Sequence, residues 1–386
     1  MARVVLGVTG GIAAYKACEL TRLLVREGHE VTPILTPEAE RFVTAHTFEA
    51  LARREMPREL YPHLVGADLL VIAPLSANTL AKLAQGLADN VLTQTALAFD
   101  GFVVAAPAMN PRMWEHAATR ANVETLRGRG VELIGPEEGE TAEGETGVGR
   151  MSEPEAIFAR CASLLEKRDQ LRGRSVLVTA GGTREPLDAV RFLGNRSSGR
   201  MGAALAAEAR RRGADVTLVA SNLSVPAPVG VDVVPAPTAE DVARETLARG
   251  DADVVLMAAA VADYRPAEPE EGKRPKDGEP WTVTLEPTAD VLRELGERRT
   301  NGQILVGFAA DRGEQGLARA REKLVAKHVD LVVFNDVARD DVGFDSADNE
   351  VVLVSARGER RVEKAAKELI AAAILDEVVE RLGEAG

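Results

Sequence analysis

The chain has 386 residues, of which 45% are hydrophobic, so its length suits two or three domains with sizeable cores. Its apolar residues occur in short runs, well below the roughly 18 consecutive residues of a membrane span, and the N-terminal residues read as a strand and not as a secretory signal. A net charge of -13 argues against a broad nucleic-acid-binding surface. We therefore expect a cytoplasmic protein that acts on small molecules, with neither nucleic acid nor a membrane as partner.

Cysteine and lysine are both scarce in this chain. The two cysteines, Cys18 and Cys161, fall in helical patterns, which predicts free, buried thiols and no disulfide framework or structural metal site. Of the 47 basic residues only nine are lysines, and the other 38 are arginines. The positions at which lysine is kept are therefore informative.

The first part of the chain alternates short β-branched runs with helical patterns. The runs span residues 4–8, 31–35, 69–73, 102–106 and 131–134. Such alternation predicts a mostly parallel, doubly wound sheet with helices on both faces. Residues 136–151 are rich in Gly, Glu and Thr and predict a long mobile loop, and a helix over 154–168 closes a first domain of residues 1–168.

The second part repeats the pattern from Ser175 onward. Its strand runs span residues 175–180, 216–220, 231–234, 254–258, 304–309, 331–335 and 351–355. They predict a second doubly wound, Rossmann-like α/β domain over residues 173–386. Two long polar segments interrupt it: a loop within 179–202, before a helix that begins near Gly199, and a Pro-rich flap over 263–280.

Polar or glycine-rich groups follow three strands of the first domain. They are Gly10 and Gly11, then Ser76, Asn78 and Thr79, and finally Asn110. Because ligands bind at the carboxyl ends of parallel strands, we expect these groups to converge. The glycine pair suits either a flavin or nucleotide phosphate or tight strand-to-helix packing. The full GxGxxG spacing is missing and the second strand ends without an acidic residue, which argues against NAD.

The segments GGIAAYK, PLSANT and PAMNPRMW carry a resemblance over residues 3–151. In this order they resemble the signatures of flavin-containing cysteine decarboxylases. The resemblance implies an FMN site at these strand ends and decarboxylation of a C-terminal cysteine moiety, for which a flavin provides the electron sink. It further implies that Asn110 holds the substrate carboxylate, that Met113 and Trp114 support its helix, and that His63 is the catalytic histidine. His29, His46, His116 and His328 lack this support.

One position departs from that family. Many members carry a cysteine in the loop before the terminal GxGRM, where this chain has Glu143. Either another group supplies the proton, with Glu143 as a candidate because a buried carboxylic acid can donate one, or the domain binds flavin without completing the reaction.

Basic and amide side chains mark a second candidate site. Residues 179–202 contain four arginines, at positions 184, 191, 196 and 200, together with Asn195, which suits either an anion site or a solvated loop. Asp263 follows a buried strand, and Lys273 and Lys276 lie in the flap. Lys323 and Lys327 lie four residues apart on one helix face. These four lysines suit a triphosphate ligand.

The segments TAGGTREPLD, AAAVADYRP and KLVAK, the last leading to FND, resemble phosphopantothenate-cysteine ligases over residues 173–384. The resemblance implies that CTP activates the 4'-phosphopantothenate carboxylate as an acyl-cytidylate, which cysteine then attacks. It implies roles for Asn195 at the acyl-cytidylate step and for Lys273 in catalysis, and it implies Mg2+ on the polyphosphate with no protein ligands named. The implied CTP site comprises Met257, Ala258, Ala259, Asp263, Lys273, Ala289, Asp290, Val291, Leu292, Phe308, Lys323 and Lys327.

Both families on one chain predict a bifunctional enzyme of coenzyme A biosynthesis. The ligase product, 4'-phosphopantothenoylcysteine, would be the decarboxylase substrate, and 4'-phosphopantetheine the final product. Two alternatives stay open: a ligase whose flavin domain serves only oligomerisation, and a regulatory flavin-binding protein. The resemblance also implies a homo-oligomer in which decarboxylase domains trimerise and ligase domains dimerise.

Overall fold

The computed structural model describes residues 1–55, 66–140, 144–276, 278–336 and 348–385. The chain forms two compact units, Met1–Asp169 and Gln170–Gly386. No helix within the described ranges is both long enough and apolar enough to cross a membrane.

The first unit contains a five-stranded parallel sheet in the order β2-β1-β3-β4-β5. Its strands are β1 Arg3–Val8, β2 Glu30–Leu35, β3 Leu69–Leu75, β4 Phe102–Pro107 and β5 Val131–Leu133, and β6 Glu137–Glu140 and β7 Thr146–Arg150 form a separate ribbon. Its helices are α1 Ala14–Arg26, α2 Ala45–Ala52, α3 Ala77–Gln85, α4 Val91–Ala98, α5 Pro111–Glu115, α6 Ala117–Gly128 and α7 Pro154–Arg168.

Alternation along the strands of this sheet supplies apolar residues to both faces. Val4 and Leu6 pack with Leu20 of α1 and Ile157 of α7, whereas Val5 packs on the opposite face with helices α3, α4 and α6. Both faces are therefore covered by helices, as buried parallel sheets require.

The segment 136–151 differs from its prediction. It contains the antiparallel ribbon β6–β7, in which Glu138 pairs with Val148 and Gly139 with Gly147. The prediction of an unstructured loop was wrong because the ribbon's stabilising contacts come from pairing and docking, and not from an apolar pattern of its own. A smaller correction concerns Cys18, which is half-buried, while Cys161 is fully buried.

The second unit contains an eight-stranded sheet in the order β12-β11-β8-β13-β16-β17-β18-β19. The sheet strands are β8 Ser175–Gly181, β11 Asp215–Ser221, β12 Asp232–Pro235, β13 Val254–Met257, β16 Ile304–Asp311, β17 Leu331–Asp336, β18 Asp348–Ser355 and β19 Gly358–Ala366. Short strands outside it are β9 Arg184–Pro186, β10 Phe192–Gly194, β14 Tyr264–Pro266 and β15 Leu285–Pro287. The helices are α8 Arg200–Arg211, α9 Ala239–Leu247, α10 Val291–Arg298, α11 Gly313–Ala326 and α12 Lys367–Ala385.

Two helical layers also cover this sheet. Helices α8 and α12 pack on one face with Val178 of β8, and helices α9, α10 and α11 pack on the other with Leu177. Arg212, at the end of α8, is fully buried and its guanidinium contacts Glu208 and Asp376. The class predicted for both units, doubly wound and mostly parallel α/β, is thereby confirmed.

Three details of the second unit were not predicted. The polar segments at 179–202 and 263–280 are partly ordered, because β9 pairs with β10 and β14 pairs with β15. Strand β18 is antiparallel to β17, and β19 is antiparallel to β18. Strand β19 escaped prediction because its mostly charged sequence resembles a solvated surface more than a strand.

Candidate active sites

Three strand ends of the first unit are joined by a row of hydrogen bonds. The Thr9 hydroxyl donates to the Pro74 carbonyl at 2.7 Å and accepts from the Ser76 N–H at 2.8 Å. The Ala108 N–H donates to the Leu75 carbonyl at 3.0 Å. The ends of β1, β3 and β4 therefore share one edge, as the sequence led us to expect. Thr9 itself was missed, although its place between a strand and a glycine pair was a usable signal.

The two glycines after β1 serve different purposes. A Cβ at Gly10 would lie 2.5 Å from the Cβ of Glu38, so this position needs glycine for packing. A Cβ at Gly11 would meet nothing within 4 Å, so this backbone faces open space. The packing interpretation thus applies to Gly10, whereas a ligand-binding role for Gly11 stays a prediction.

The start of α3 presents the polar groups of the segment PLSANT. Ser76 is the N-cap, and its hydroxyl accepts from the Thr79 N–H at 3.4 Å. Thr79 is buried, whereas Asn78 is exposed at the same helix start. Asn78 is therefore the group of this set that is directly accessible to a ligand.

The side chain of Asn110 makes contacts at both ends of its amide. Its Oδ1 accepts from the Arg112 N–H at 2.9 Å, which caps α5, and its Nδ2 donates to Glu145 Oε2 at 2.7 Å. Arg112 Nη2 lies 3.5 Å from the other carboxylate oxygen of Glu145. Asn110 is thus a helix cap and, at the same time, a donor to a carboxylate. Glu145 was not singled out from the sequence.

The ribbon β6–β7 docks closely on this turn. The Met109 N–H donates to the Gly149 carbonyl at 3.0 Å. A Cβ at Gly149 would lie 2.2 Å from the Met109 carbonyl oxygen, and one at Gly147 would lie 2.9 Å from Pro111 Cβ. The glycines of the GVG segment are therefore what allow the ribbon to approach Asn110.

Lys16 forms hydrogen bonds with the residues that directly follow the same ribbon. Its side chain is only 8% exposed, and its ammonium donates to the Met151 carbonyl and to Glu153 Oε1, both at 3.0 Å. The hydrogen bond from Lys16 holds the pKa of Glu153 below its ordinary value. The lysine of GGIAAYK thus connects α1 to the segment that follows β7.

Two predicted catalytic residues, His63 and Glu143, lie outside the described residues. Their roles stay predictions. Met113 is exposed, and Trp114 is half-buried against the α3 and α6 face of the sheet.

The second unit contains a cavity of about 600 Å³ beyond the carboxyl ends of β13 and β16. It combines the starts of α8 and α10 with one side of α11. Of the twelve residues implied for CTP binding, those that line it are Met257, Ala258, Ala259, Asp263, Ala289, Asp290, Val291, Leu292, Phe308, Lys323 and Lys327.

The segment after β13 is held in place by two threonines of the neighbouring strand end. The Ala259 N–H donates to the Thr179 hydroxyl at 3.0 Å, and the Ala262 N–H donates to the Thr183 hydroxyl at 2.9 Å. These contacts satisfy backbone groups that no longer pair within the sheet. Asp263 is thereby positioned at the cavity.

Two ammonium groups lie at the cavity wall. Lys323 Nζ donates to the Phe308 carbonyl at 2.7 Å, and Lys327 forms a hydrogen-bonded ion pair with Asp290. Burial lowers the pKa of Lys323, and the negative charge of Asp263 opposes that shift. Burial also lowers the pKa of Lys327, again opposed by Asp263. A polyanion in this cavity would favour the charged form of both lysines.

Lys273 and Asn195 are the predicted residues that do not line the cavity. Lys273 is exposed, and the N–H of the adjoining Arg274 donates to Asp188 of the TREPLD segment at 3.3 Å. Asn195 Nδ2 donates to the carbonyl of Ala260, a cavity residue, at 3.1 Å. Asn195 thus lies at the rim, and Lys273 is tied to the polar loop beside it.

The four arginines that were predicted to form one cluster lie in different surroundings in the structure. Only Arg200, among the four, lines the cavity. Arg184 stacks on Phe192, and Arg191 and Arg274 flank the ring of Trp281 at 5.3 and 5.1 Å.

Sequence reasoning also missed the polar end of the cavity near β17 and β18. Lys367 and Asn349 are buried there, and Asn335 Oδ1 has no hydrogen-bond partner among the described residues. The signal available was that Lys367 is one of only nine lysines.

Comparison with known proteins agrees with this two-site geometry. Residues 1–166 match the flavoprotein family, and residues 171–382 match the C-terminal domain of DNA/pantothenate metabolism flavoproteins. The coenzyme A biosynthesis bifunctional protein CoaBC of Vibrio vulnificus is 37% identical over 99% of this chain and 98% of that protein. The CoaBC protein of Mycobacterium bovis is 43% identical over 98% of this chain and 96% of that protein. The chain belongs to this bifunctional family.

Membership of this family also shows the activities of the chain. The chain is an enzyme of coenzyme A biosynthesis with phosphopantothenate-cysteine ligase and phosphopantothenoylcysteine decarboxylase activities. Its match to the flavoprotein family supports a flavin cofactor for the first unit. Among solved structures, the crystal structure of a CoaBC C-terminal domain is 33% identical, with a TM-score of 0.48, and covers 56% of this chain and 99% of that one.

Proposed function

We propose that residues 173–386 carry out the CTP-dependent ligation of 4'-phosphopantothenate with cysteine, and that residues 1–168 carry out the FMN-dependent decarboxylation of the product. The observation that supports the ligase assignment most strongly is the pair Lys323 and Lys327, two partly desolvated ammonium groups at one cavity. Two such charges suit a nucleoside triphosphate.

In the ligase step the substrate carboxylate attacks the α-phosphate of CTP and pyrophosphate leaves. Negative charge builds on the phosphates, and Lys323 and Lys327 stabilise it because they are already positioned and poorly solvated. The cysteine amine then displaces CMP from the acyl-cytidylate. Asn195, fixed at the rim by Ala260, would orient that intermediate, and Lys273 would reach it from the flap.

Magnesium is proposed to enter with the nucleotide. The described residues contain no group of three or more His, Cys, Asp or Glu side chains that could hold a metal ion. Mg2+ prefers phosphate oxygens and water as ligands, and the nucleotide would bring both. Asp263, Asp290 and Asp311 line the cavity, and we assign contact with the metal-nucleotide complex to Asp263 because Asp290 pairs with Lys327 and Asp311 with Arg319.

The residues of the first unit fit FMN. The open backbone at Gly11 leaves room that a side chain would fill, and the start of α3 offers the exposed Asn78 and the half-buried Ser76 hydroxyl as polar partners. Bound FMN supplies the electron sink that lets the cysteine moiety lose CO2. Asn110 would bind the departing carboxylate through Nδ2, because its Oδ1 is occupied by the helix cap.

The remaining proposals concern the localisation and the oligomeric state of the protein. We infer a cytoplasmic homo-oligomer, in which the first units form trimers and the second units form dimers. The support for both is the sequence resemblance given above.

One assay series tests the two activities separately. The purified chain with 4'-phosphopantothenate, Mg2+, CTP and cysteine should release pyrophosphate and CO2, and with 4'-phosphopantothenoylcysteine it should release CO2 without CTP. Asn110→Ala should reduce CO2 release by at least about 100-fold and leave pyrophosphate release unchanged, since the two sites lie in different units. Pyrophosphate release without any CO2 from the unaltered chain would instead support the ligase-only alternative.

A further inference from the structure

A glutamate of the chain occupies the place that the substrate carboxylate needs. Glu145 Oε2 accepts from Asn110 Nδ2 at 2.7 Å. The amide cannot rotate to offer its oxygen instead, because Oδ1 already accepts from the Arg112 N–H. The face of Asn110 turned to Glu145 is therefore a donor face, suited to a carboxylate.

The position of Glu145 is set by the docked ribbon. Two residues further along, Gly147 packs on Pro111, and Gly149 accepts the Met109 N–H. At the far end Lys16 holds Met151. Contacts on every second residue, 147, 149 and 151, fix the register, so the contact of Glu145 with Asn110 follows from the way the ribbon docks.

We propose that Glu145 is the acid that protonates the substrate carbon after CO2 has left, a role that rests on the proposed decarboxylase function. When the substrate carboxylate binds Asn110, two carboxylates share one amide. Like charges at that distance disfavour double ionisation, so one of them takes up a proton. Glu145 is the one that takes it up, because the substrate must keep its carboxylate ionised to lose CO2, and the Glu145 side chain, 38% exposed, can receive the proton from water.

The step balances without a further reactant. The bond from the carbon to CO2 breaks and leaves its electron pair on the substrate. The O–H bond of Glu145 then breaks, its proton forms a C–H bond at that carbon, and the electron pair stays on the carboxylate. The Glu145 carboxylate then returns to the Asn110 N–H that CO2 has vacated, which restores the contact seen in the structure.

The guanidinium of Arg112 opposes protonation of Glu145. Arg112 Nη2 lies 3.5 Å from Glu145 Oε1 and favours the carboxylate form. The Arg112 side chain is 86% exposed, so water screens this attraction strongly.

The test compares Glu145→Gln with Glu145→Asp and with the control Glu138→Gln. Glu138 is an exposed residue of the same ribbon, in β6. Each full-length, FMN-loaded protein is mixed with 4'-phosphopantothenoylcysteine for a single turnover. CO2, the mass of the organic product and the visible flavin absorbance are then recorded.

Glu145→Gln should still release CO2 but form 4'-phosphopantetheine at least about 100-fold more slowly, because general acid catalysis typically accelerates a step by this factor or more. A product lighter by two hydrogen atoms should accumulate while the flavin stays reduced. Glu145→Asp should restore part of the rate, and Glu138→Gln should match the unaltered protein. If Glu145→Gln does not fold, Glu145→Asp decides, since a shorter acid should slow product formation more than CO2 release.

Three results would overturn the proposal. The first is normal 4'-phosphopantetheine formation by Glu145→Gln. The second is accumulation of the unsaturated product in Glu143→Gln and not in Glu145→Gln, which would assign the role to Glu143. The third is equal loss of CO2 release and product formation in Glu145→Gln, which would indicate a role in substrate positioning. Absence of CO2 release from the unaltered protein would refute the decarboxylase assignment itself.

Discussion

Lys323 offers the sharpest test of the nucleotide site. Its ammonium lies at the cavity wall, hydrogen-bonded to the Phe308 carbonyl, and burial lowers its pKa. Lys323→Met removes the charge and keeps an unbranched side chain of similar length. The cost of desolvating the ammonium is met when the protein folds, so most of its attraction for a phosphate should appear in the binding free energy.

The expected loss follows from Coulomb's law. Two unit charges about 4 Å apart interact by roughly 4 kcal/mol at an effective dielectric constant of about 20. Desolvation of the phosphate offsets part of this, which leaves about 3 kcal/mol. The Kd for CTP should therefore rise by about 100-fold in Lys323→Met.

Calorimetry or equilibrium dialysis with CTP and Mg2+ would measure this change. Lys364→Met is the matched control, because Lys364 lies exposed on β19 and does not line the cavity. It should bind CTP like the unaltered protein. A Kd within about threefold of normal in a well-folded Lys323→Met protein would refute the electrostatic reasoning.

The lowered pKa of Lys323 also fixes the sign of the pH dependence. Only the ammonium attracts phosphate, so the Kd for CTP should rise as the pH increases through the lowered pKa, below the usual lysine range. Bound polyphosphate favours the ammonium, so binding should take up protons there. In the protein without CTP, the buried Lys323 ammonium lowers the stability of the folded state at pH values below that pKa. This loss of stability disappears as the pH rises toward the pKa that lysine has in the unfolded chain. In Lys323→Met most of this pH dependence should be lost.

Paired substitutions test the packing of each unit. Gly10→Ala should lower the stability of the protein by about 1–3 kcal/mol because its Cβ would collide with Glu38, whereas Gly11→Ala should fold normally and retain less flavin. Thermal unfolding and flavin absorbance measure both, and equal behaviour of the two variants would contradict the assignment. Arg212→Met should cost about 1–3 kcal/mol in urea unfolding because it removes one of the two guanidinium partners of the buried Glu208, and a loss no larger than that of the exposed Arg210→Met would contradict it.

Much of the fold could be predicted because the sequence patterns of its strands and helices are local. Strand β4 was predicted over 102–106 and spans Phe102–Pro107, and helix α7 was predicted over 154–168 and has those bounds. Apolar runs and helical periodicity report burial directly. The ribbon β6–β7 carries no such signal, because its strands EEGE and TGVGR are polar or glycine-rich and owe their order to pairing and docking.

In the candidate sites, too, the sequence predicted some features and not others. The grouping of Gly11, Ser76 and Asn110 was predictable, because topology places the carboxyl ends of parallel strands at one edge. The hydrogen-bond partners of Thr9 and Lys16 were not, since each partner lies more than 60 positions away. Lys273 matches a motif but is exposed and does not line the cavity, so its role in catalysis stays a prediction.

By itself, then, the sequence determined two α/β units, the residues at their strand ends and the family to which the chain belongs. Only the tertiary structure showed that the carboxylate of Glu145 meets Asn110. That contact depends on the docking of the ribbon through Gly147 and Gly149, and contacts between residues about 35 positions apart leave no trace in a local pattern.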